Sequence, residues 1–280
     1  MTQSEHPSTL LVTGATGTVG REVVAELLRR GHTVRALTRD PAAARFPEGV
    51  EAVGGDLSAP ETLESALEGV TGLHLITFDG GAFAPLETGP RILELARAAG
   101  VRRVTVLNGG GDTPVEDAVR AGGIPWTVLM PVEFMGNTHE WADGVRTADE
   151  VRAPFAGRLS ALVHEADIGA VAAVALTEDG HEEQAYVITG PQVLTLRERV
   201  RVLADARGRD IRLVELSEDE ALEEWTAAGA DEATIAFLLD VYKNTPLVGR
   251  TVSGTVEKVT GRPARSFDAW AREHADAFRA

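Results

Sequence analysis

The 280-residue sequence contains no cysteine. That single absence excludes disulfides, thiolate catalysis and cysteine-ligated metals together. Lysine occurs only as Lys243 and Lys258, and tyrosine only as Tyr186 and Tyr242. No stretch approaches the ~18 unbroken apolar residues of a membrane helix. The opening "MTQSEHPSTLLVTG" lacks a basic segment followed by an apolar one, so no signal peptide is expected. Cations are outnumbered, with 27 Lys and Arg against 43 Asp and Glu and a net charge of -16. Nucleic-acid binding depends on clustered Lys and Arg that neutralise phosphates, so nucleic acid is not an expected partner. His139 and Glu140 lack further ligands nearby in sequence, and no metal is expected. A cytoplasmic protein without a membrane partner is the expectation.

What is present is an alternation of short β-branched runs with longer helical ones. "TLLVTG", "TVRALT", "VEAVGG", "GLHLIT", "VRRVTVL" and "PWTVLM" read as six strands. Helical patterns separate them near residues 18–30, 60–68, 85–99 and 114–121, the first with Val19, Val23, Val24, Leu27 and Leu28 on one face. Strands alternating with helices imply a parallel sheet covered on both faces. The predicted class is α/β, a Rossmann-type doubly wound parallel sheet with a smaller, mostly helical C-terminal lobe. After Met130 the rhythm breaks, and "EFMGNTHEWADGVRTADEVRAPFAGR" reads as irregular. A short strand follows, then Asp167 as the N-cap of an apolar helix to Thr177, then the strand "QAYVITG" and a mostly helical remainder. The division expected is a nucleotide-binding domain over residues 1–132 and a substrate lobe over 133–280, interleaved in one unit.

"TGATGTVG" closes the first strand and opens the first helix, with Gly14, Gly17 and Gly20 in the spacing G-x-x-G-x-x-G. The first glycine permits a tight turn, the second a close approach of backbone to a pyrophosphate, the third close packing of helix on strand. Thr16, Thr18 and Val19 complete the loop that meets the cofactor at the positive end of the helix. At the end of the second strand, where NAD binders carry an acid, stand Thr38 and Arg39. A guanidinium suits a 2′-phosphate, which favours NADP(H) over NAD(H). The alternative is that Arg39 is an ordinary solvated cation. Asp40 before Pro41 reads as an N-cap. Asp56 and Leu57 in "GGDLS" are either adenine contacts or a capping turn before Pro60.

These segments resemble the NmrA-like atypical short-chain dehydrogenase/reductase family, in its triphenylmethane reductase and quinone oxidoreductase branch. The resemblance rests on "LLVTGATGTVGREVVAELLRRGHTVRALTRDP", "VGGDLSAPETLESALEGV", "AGVRRVTVLN", "VEDAVRAGGIPWTVLMPVEFMGN", "ADIGAVAAVALTEDGHEEQAYVITGP" and "TGRPARSF", in that order over nearly the whole chain. It implies an NADP(H)-binding Rossmann domain and a small substrate lobe. It implies too that Thr77 and Phe78 flank the cofactor and that Pro131, Val132, Glu133 and Phe134 lie beside the nicotinamide. The usual Tyr/Lys dyad of short-chain dehydrogenases is missing, since Gly190 and Pro246 stand four residues beyond the two tyrosines. A quinone, enone or dye that is easily reduced can take its proton from water, and positioning alone supplies much of the rate.

Asn108 ends the fifth strand where relatives usually have serine, and it reads either as a ligand of substrate or ribose or as a turn residue. His164 is a candidate acid or base by its intrinsic pKa, against a structural role. Phe134, Asn137 and Trp141, with Met135, are read as pocket lining or as simple core. The glycines of "VLNGGGDTPVEDAVR" are not the phosphate loop, whose place Gly14 to Gly20 occupy. Asn108 and Gly109 are expected beside the cofactor, and Gly110 and Gly111 in the floor of the substrate site. The expected function is NADPH-dependent reduction of a small conjugated or carbonyl compound, in a chain that can form a homodimer. The alternatives are a non-catalytic NADP(H) sensor with a protein partner, and a tailoring enzyme that uses bound NADP(H) for an unusual redox step.

Overall fold

The apolar run after Ser8 forms β1 (Thr9–Val12), an inner strand of a seven-stranded sheet. A computed structural model describes residues 8–79, 84–108 and 113–279. From β1 the chain continues through α1 (Thr18–Arg29), β2 (Thr33–Thr38), β3 (Val50–Gly54), α2 (Glu64–Leu67) and β4 (Gly72–Ile76). It then runs through α3 (Gly89–Ala98), β5 (Arg103–Leu107), α4 (Pro114–Ala121) and β6 (Trp126–Pro131). Leu11, Val12, Leu75, Val106 and Val128 are wholly buried, as strands covered on both faces require. On α1, Val19, Val23, Val24 and Leu27 form the buried stripe.

Past β6 come a 3-10 turn (Met135–Trp141), α5 (Ala142–Ala148), β7 (Glu150–Pro154), β8 (Leu159–Ser160), α6 (Glu165–Thr177) and β9 (Gln184–Ile188). The last stretch holds β10 (Leu194–Thr195), α7 (Leu196–Arg207), β11 (Arg212–Leu216), α8 (Glu218–Ala227), α9 (Glu232–Lys243), α10 (Thr255–Thr260) and α11 (Phe267–Glu273). The chain divides into two compact units, the first being Met1–Pro131, Glu165–Ile188 and Lys258–Gly261. The second is Val132–His164, Thr189–Glu257 and Arg262–Ala280.

The first unit holds the large sheet, in the order β3-β2-β1-β4-β5-β6-β9 and parallel throughout. Six of these strands follow the sequence reading. The seventh, β9, pairs with β6 from Thr127↔Gln184 to Pro131↔Ile188. It therefore belongs with residues 1–131, together with α6, although both stand in the 133–280 stretch. Helix α6 packs against α1, where a methyl on Gly169 would lie 2.6 Å from the carbonyl carbon of Glu22. The helix begins at Glu165, and Asp167 sits in its first turn instead of capping it. Its faces are buried nearly all round, so no polar-to-apolar boundary marks the start, and an acid is favourable throughout a first turn.

The second unit contains two small sheets, β8 with β10 antiparallel and β7 with β11 parallel. Helices α7 and α8 open with reciprocal capping boxes, Thr195 with Glu198 and Ser217 with Glu220. The core gathers Met135, Trp141, Val145, Leu203, Phe267 and Trp270. The stretch expected to be irregular is thus partly regular, and the helical remainder includes a strand. β7 alternates Glu150 and Arg152 with Val151 and Ala153, whereas in β11 Arg212 and Glu215 stand three apart and break the alternation. Among the described residues no helix is long and apolar enough to cross a membrane.

Candidate active site

Parallel pairing brings the carboxyl ends of the strands to one edge of the sheet. Gly14, Thr38, Asp56, Thr77, Asn108 and Pro131 close or follow β1 to β6 at that edge. The strand order reverses at β1, between β2 and β4, which is where open α/β sheets bind ligands. Gly14 has φ +60°, and a methyl there would lie 2.8 Å from Ile76 Cγ2. Its carbonyl accepts the Gly17 N–H at 2.9 Å, closing the turn. A methyl on Gly20 would lie 2.7 Å from the Gly14 carbonyl carbon and 2.9 Å from Ala15 Cα, so α1 rests directly on this turn. Gly17 occupies the N-cap with no side chain to cap the helix, and no acid stands in the first turn. Thr16, Gly17 and Thr18 are exposed, while Val19 and Gly20 are buried beneath them. An uncapped, exposed helix N-terminus on a glycine turn fits a pyrophosphate.

Around that turn, Arg39 is exposed after Thr38 at the end of β2. Asp40 turns back on its own chain, its Oδ1 accepting the N–H groups of Ala42 and Ala43 at 3.1 Å each. This is the capping geometry expected of it, on a turn and not on a helix. Asp56 likewise accepts the Ser58 N–H through Oδ1 at 2.8 Å, and Leu57 is buried beside it. Thr77 is fully buried, with its hydroxyl toward the Leu107 carbonyl at 3.4 Å. Phe78 is half-buried and bridges to Pro85.

Asn108 is buried at the end of β5, and its Nδ2 donates to Glu116 Oε2 at 2.7 Å. Glu116 is itself buried in the first turn of α4, where its N–H is capped by the Thr113 hydroxyl at 3.3 Å. The sequence reading passed over Glu116, although Thr113 and Glu116 stand at capping-box spacing. Gly109, Gly110 and Gly111 lie outside the described residues, and the expectations placed on them rest on sequence alone.

Pro131 closes the first unit's stretch and Val132 opens the second's. In the second unit, Met135 N–H donates to the Val163 carbonyl and Val163 N–H to the Glu133 carbonyl, each at 2.9 Å. This pairing holds half-buried Phe134 beside Val163. The Glu133 carboxylate is committed within the same unit: Arg158 Nη1 donates to it at 2.7 Å and Arg199 Nη1 at 2.8 Å. Burial alone would raise its pKa, but the two guanidiniums override this and hold it at about 2. Arg199 also lies over Trp141, 4.8 Å from the ring centroid, and Trp141 belongs to the core cluster. His164 is buried with Nε2 3.6 Å from the Glu273 carboxylate, and Asn137 is exposed. No local signal marks Arg158 or Arg199, which stand 25 and 66 residues from their shared partner.

Neither tyrosine has its pKa lowered toward neutrality. Burial raises the Tyr186 phenol, assisted by the charge of Glu182. Tyr242 is pushed up to about 12 by burial and by the Glu140 carboxylate. Among the described residues no group of three or more His, Asp or Glu is disposed to hold a metal.

A parallel seven-stranded sheet with an open glycine turn at its reversal point defines a dinucleotide-binding α/β protein. Residues 14–115 match the NAD(P)H-binding family. The chain is 39% identical to (4-alkanoyl-5-oxo-2,5-dihydrofuran-3-yl)methyl phosphate reductase of Streptomyces griseus, over 96% of this chain and 99% of that protein. It is 37% identical to the NAD(P)H azoreductase of Xenophilus azovorans, over 97% and 99%. Triphenylmethane reductase of Citrobacter sp., solved with NADP(H), shares the fold with a TM-score of 0.79 at 23% identity, over 96% of this chain and 100% of that one. The chain belongs to the NAD(P)H-binding reductase family of the Streptomyces griseus and Xenophilus azovorans relatives and is an NAD(P)H-dependent oxidoreductase.

Proposed function

We propose that the protein uses NADPH to reduce a small, electron-poor conjugated acceptor such as an enone, a quinone or a related dye, without a side-chain proton donor. The observation that carries this reading is that neither Tyr186 nor Tyr242 is followed four residues on by a lysine, so the proton-donating Tyr/Lys pair is missing. Bound nicotinamide supplies a hydride. An acceptor whose added negative charge spreads over a conjugated system, as an enolate or hydroquinone anion does, takes its proton from water. A simple ketone would need a positioned acid instead. The two most similar relatives described above are named for a conjugated lactone and for an azo compound, and acceptors of this class support the same reading here.

The chain's own residues bind and orient. The turn from Gly14 to Gly20 would hold the pyrophosphate against the N-terminus of α1, and Arg39 would take the 2′-phosphate. Asp40 is turned toward Ala42 and Ala43, which favours NADPH over NADH. Asn108, fixed by Glu116 at 2.7 Å, would stand at the end of β5 beside ribose or substrate.

The test is direct. Purified protein is given NADPH with menadione, an α,β-unsaturated lactone and cyclohexanone, and cofactor oxidation is followed by absorbance. Turnover with either of the first two and none with cyclohexanone is expected; turnover with cyclohexanone alone would overturn the reading. For the cofactor, Arg39→Ala is expected to weaken NADPH binding by about tenfold or more, the scale of a lost charge-assisted hydrogen bond. NADH binding should change by less than about twofold, and equal losses would sink the assignment.

A further inference from the structure

The second unit contains a cavity of about 510 Å³ bounded by the segment 157–159 and the stretch from Tyr242 to Arg250. In a chain of net charge -16, its wall includes Arg158, Lys243 and Arg250 and not one carboxylate. Lys243 is one of only two lysines in the protein.

Each cation is presented differently. Arg158 is buried and rigid, its guanidinium clamped by Glu133 at 2.7 Å and laid over the Tyr242 ring at 4.1 Å from the centroid. Its Nε is buried without a hydrogen-bond partner, a costly state for a guanidinium N–H. Lys243 is exposed and held by Glu218 at 2.8 Å, with that carboxylate outside the cavity wall. Arg250 is exposed on the same wall. Apolar surface stands among these charges: Leu247 is 71% exposed and Leu159 37% exposed. Helix α9 ends here with its carbonyl groups, so attraction for an anion comes from the side chains and not from a helix dipole.

We infer that this cavity binds a phosphomonoester carrying a short apolar tail, with the phosphate on Lys243, Arg250 and Arg158 and the tail on Leu159 and Leu247. A dianion suits a cavity wall with several cations better than a carboxylate does. The exposed leucines give the tail a surface that water wets poorly. The inference is independent of the reduction chemistry proposed above, because its test reads binding alone.

The probe is n-hexyl phosphate, titrated calorimetrically into the full-length protein at saturating NADPH, so that the cofactor's own phosphate sites are filled. Saturable binding at one site per chain is expected, with n-hexanol giving none. Arg250→Ala and Lys243→Ala, both at exposed positions, should each weaken binding about tenfold. Arg45→Ala, in the other unit, should leave it unchanged. Glu218→Gln should tighten binding, because it frees Lys243 and removes a competing carboxylate. Failure to saturate, or wild-type affinity in both Arg250→Ala and Lys243→Ala, overturns the proposal. Inhibition of enone or quinone reduction by hexyl phosphate, competitive with the acceptor, would make the cavity part of the substrate site. Binding without inhibition would make it a separate effector site, and either result keeps the phosphate assignment.

Discussion

Replacing Glu133 by glutamine should unlock the second unit while leaving the dinucleotide turn intact. The carboxylate faces two buried guanidiniums, Arg158 with 7% and Arg199 with 1% of the side chain exposed. Its pKa stands at about 2, against 4.5 for an unperturbed group. That difference corresponds to about 3 kcal/mol of stability at neutral pH. Removing one partner of a buried ion pair typically costs about 3–5 kcal/mol, so two independent routes agree. The sign follows from the depressed value. Stabilisation is complete above the ordinary carboxylate pKa and is lost as pH falls through about 4.5 toward 2. Urea unfolding followed by tryptophan fluorescence is the assay, since Trp141, Trp225 and Trp270 all lie in the second unit. Glu133→Gln should lose about 3 kcal/mol at pH 7 and show a flatter acid limb than wild type. A variant within about 1 kcal/mol of wild type, with the same acid limb, would refute the argument. A collapse of NADPH affinity at unchanged stability would instead return Glu133 to the cofactor.

Three further outcomes follow from the geometry. Gly20→Ala drives a methyl into the backbone of Gly14 and Ala15, which should cost about 1–3 kcal/mol and lower NAD(P)H affinity at least tenfold; unchanged binding would detach the third glycine from the site. His74, fully buried with Nδ1 2.8 Å from the Thr105 hydroxyl, has its pKa lowered by burial to about 4. It therefore stabilises above the ordinary histidine pKa and loses that contribution as pH falls from about 6.5 to 4. His74→Gln should flatten the unfolding profile in that window, and an unaltered profile would refute it. Tyr186→Phe and Tyr242→Phe should each keep turnover with a quinone or enone to within about threefold, while a hundredfold loss in either would restore a tyrosine acid.

The strands of the large sheet were legible because each is a short run rich in apolar residues that ends at, or is followed within three residues by, a glycine, an aspartate or a proline. The phosphate turn was legible for the same reason: its three glycines answer to backbone geometry, which a spacing records directly. β9 read as a strand, yet nothing local told that "QAYVI" would join β6 across an intervening stretch of the second unit. β7 and β11 pair between residues 62 apart, and each is only five residues long with a charged residue at every second or third position. The Glu133 lock is invisible for a related reason, since Arg158 and Arg199 are ordinary arginines until the fold brings them together. Asn108 was singled out from its place at a strand end, whereas its partner Glu116 announced itself only as part of a cap.

The order in which the chain leaves the ribosome gives the late arrival of β9 a consequence in time. Strand β6 is complete at Pro131, but its outer neighbour β9 ends at Ile188. At roughly 5–20 residues per second, β6 waits several seconds with an unsatisfied edge of N–H and C=O groups. Such an edge is a template for pairing with another nascent chain. Slowed synthesis between those two strands should therefore raise aggregation of the newborn protein. In the mature protein β9 covers that edge of β6 and is itself the outermost strand.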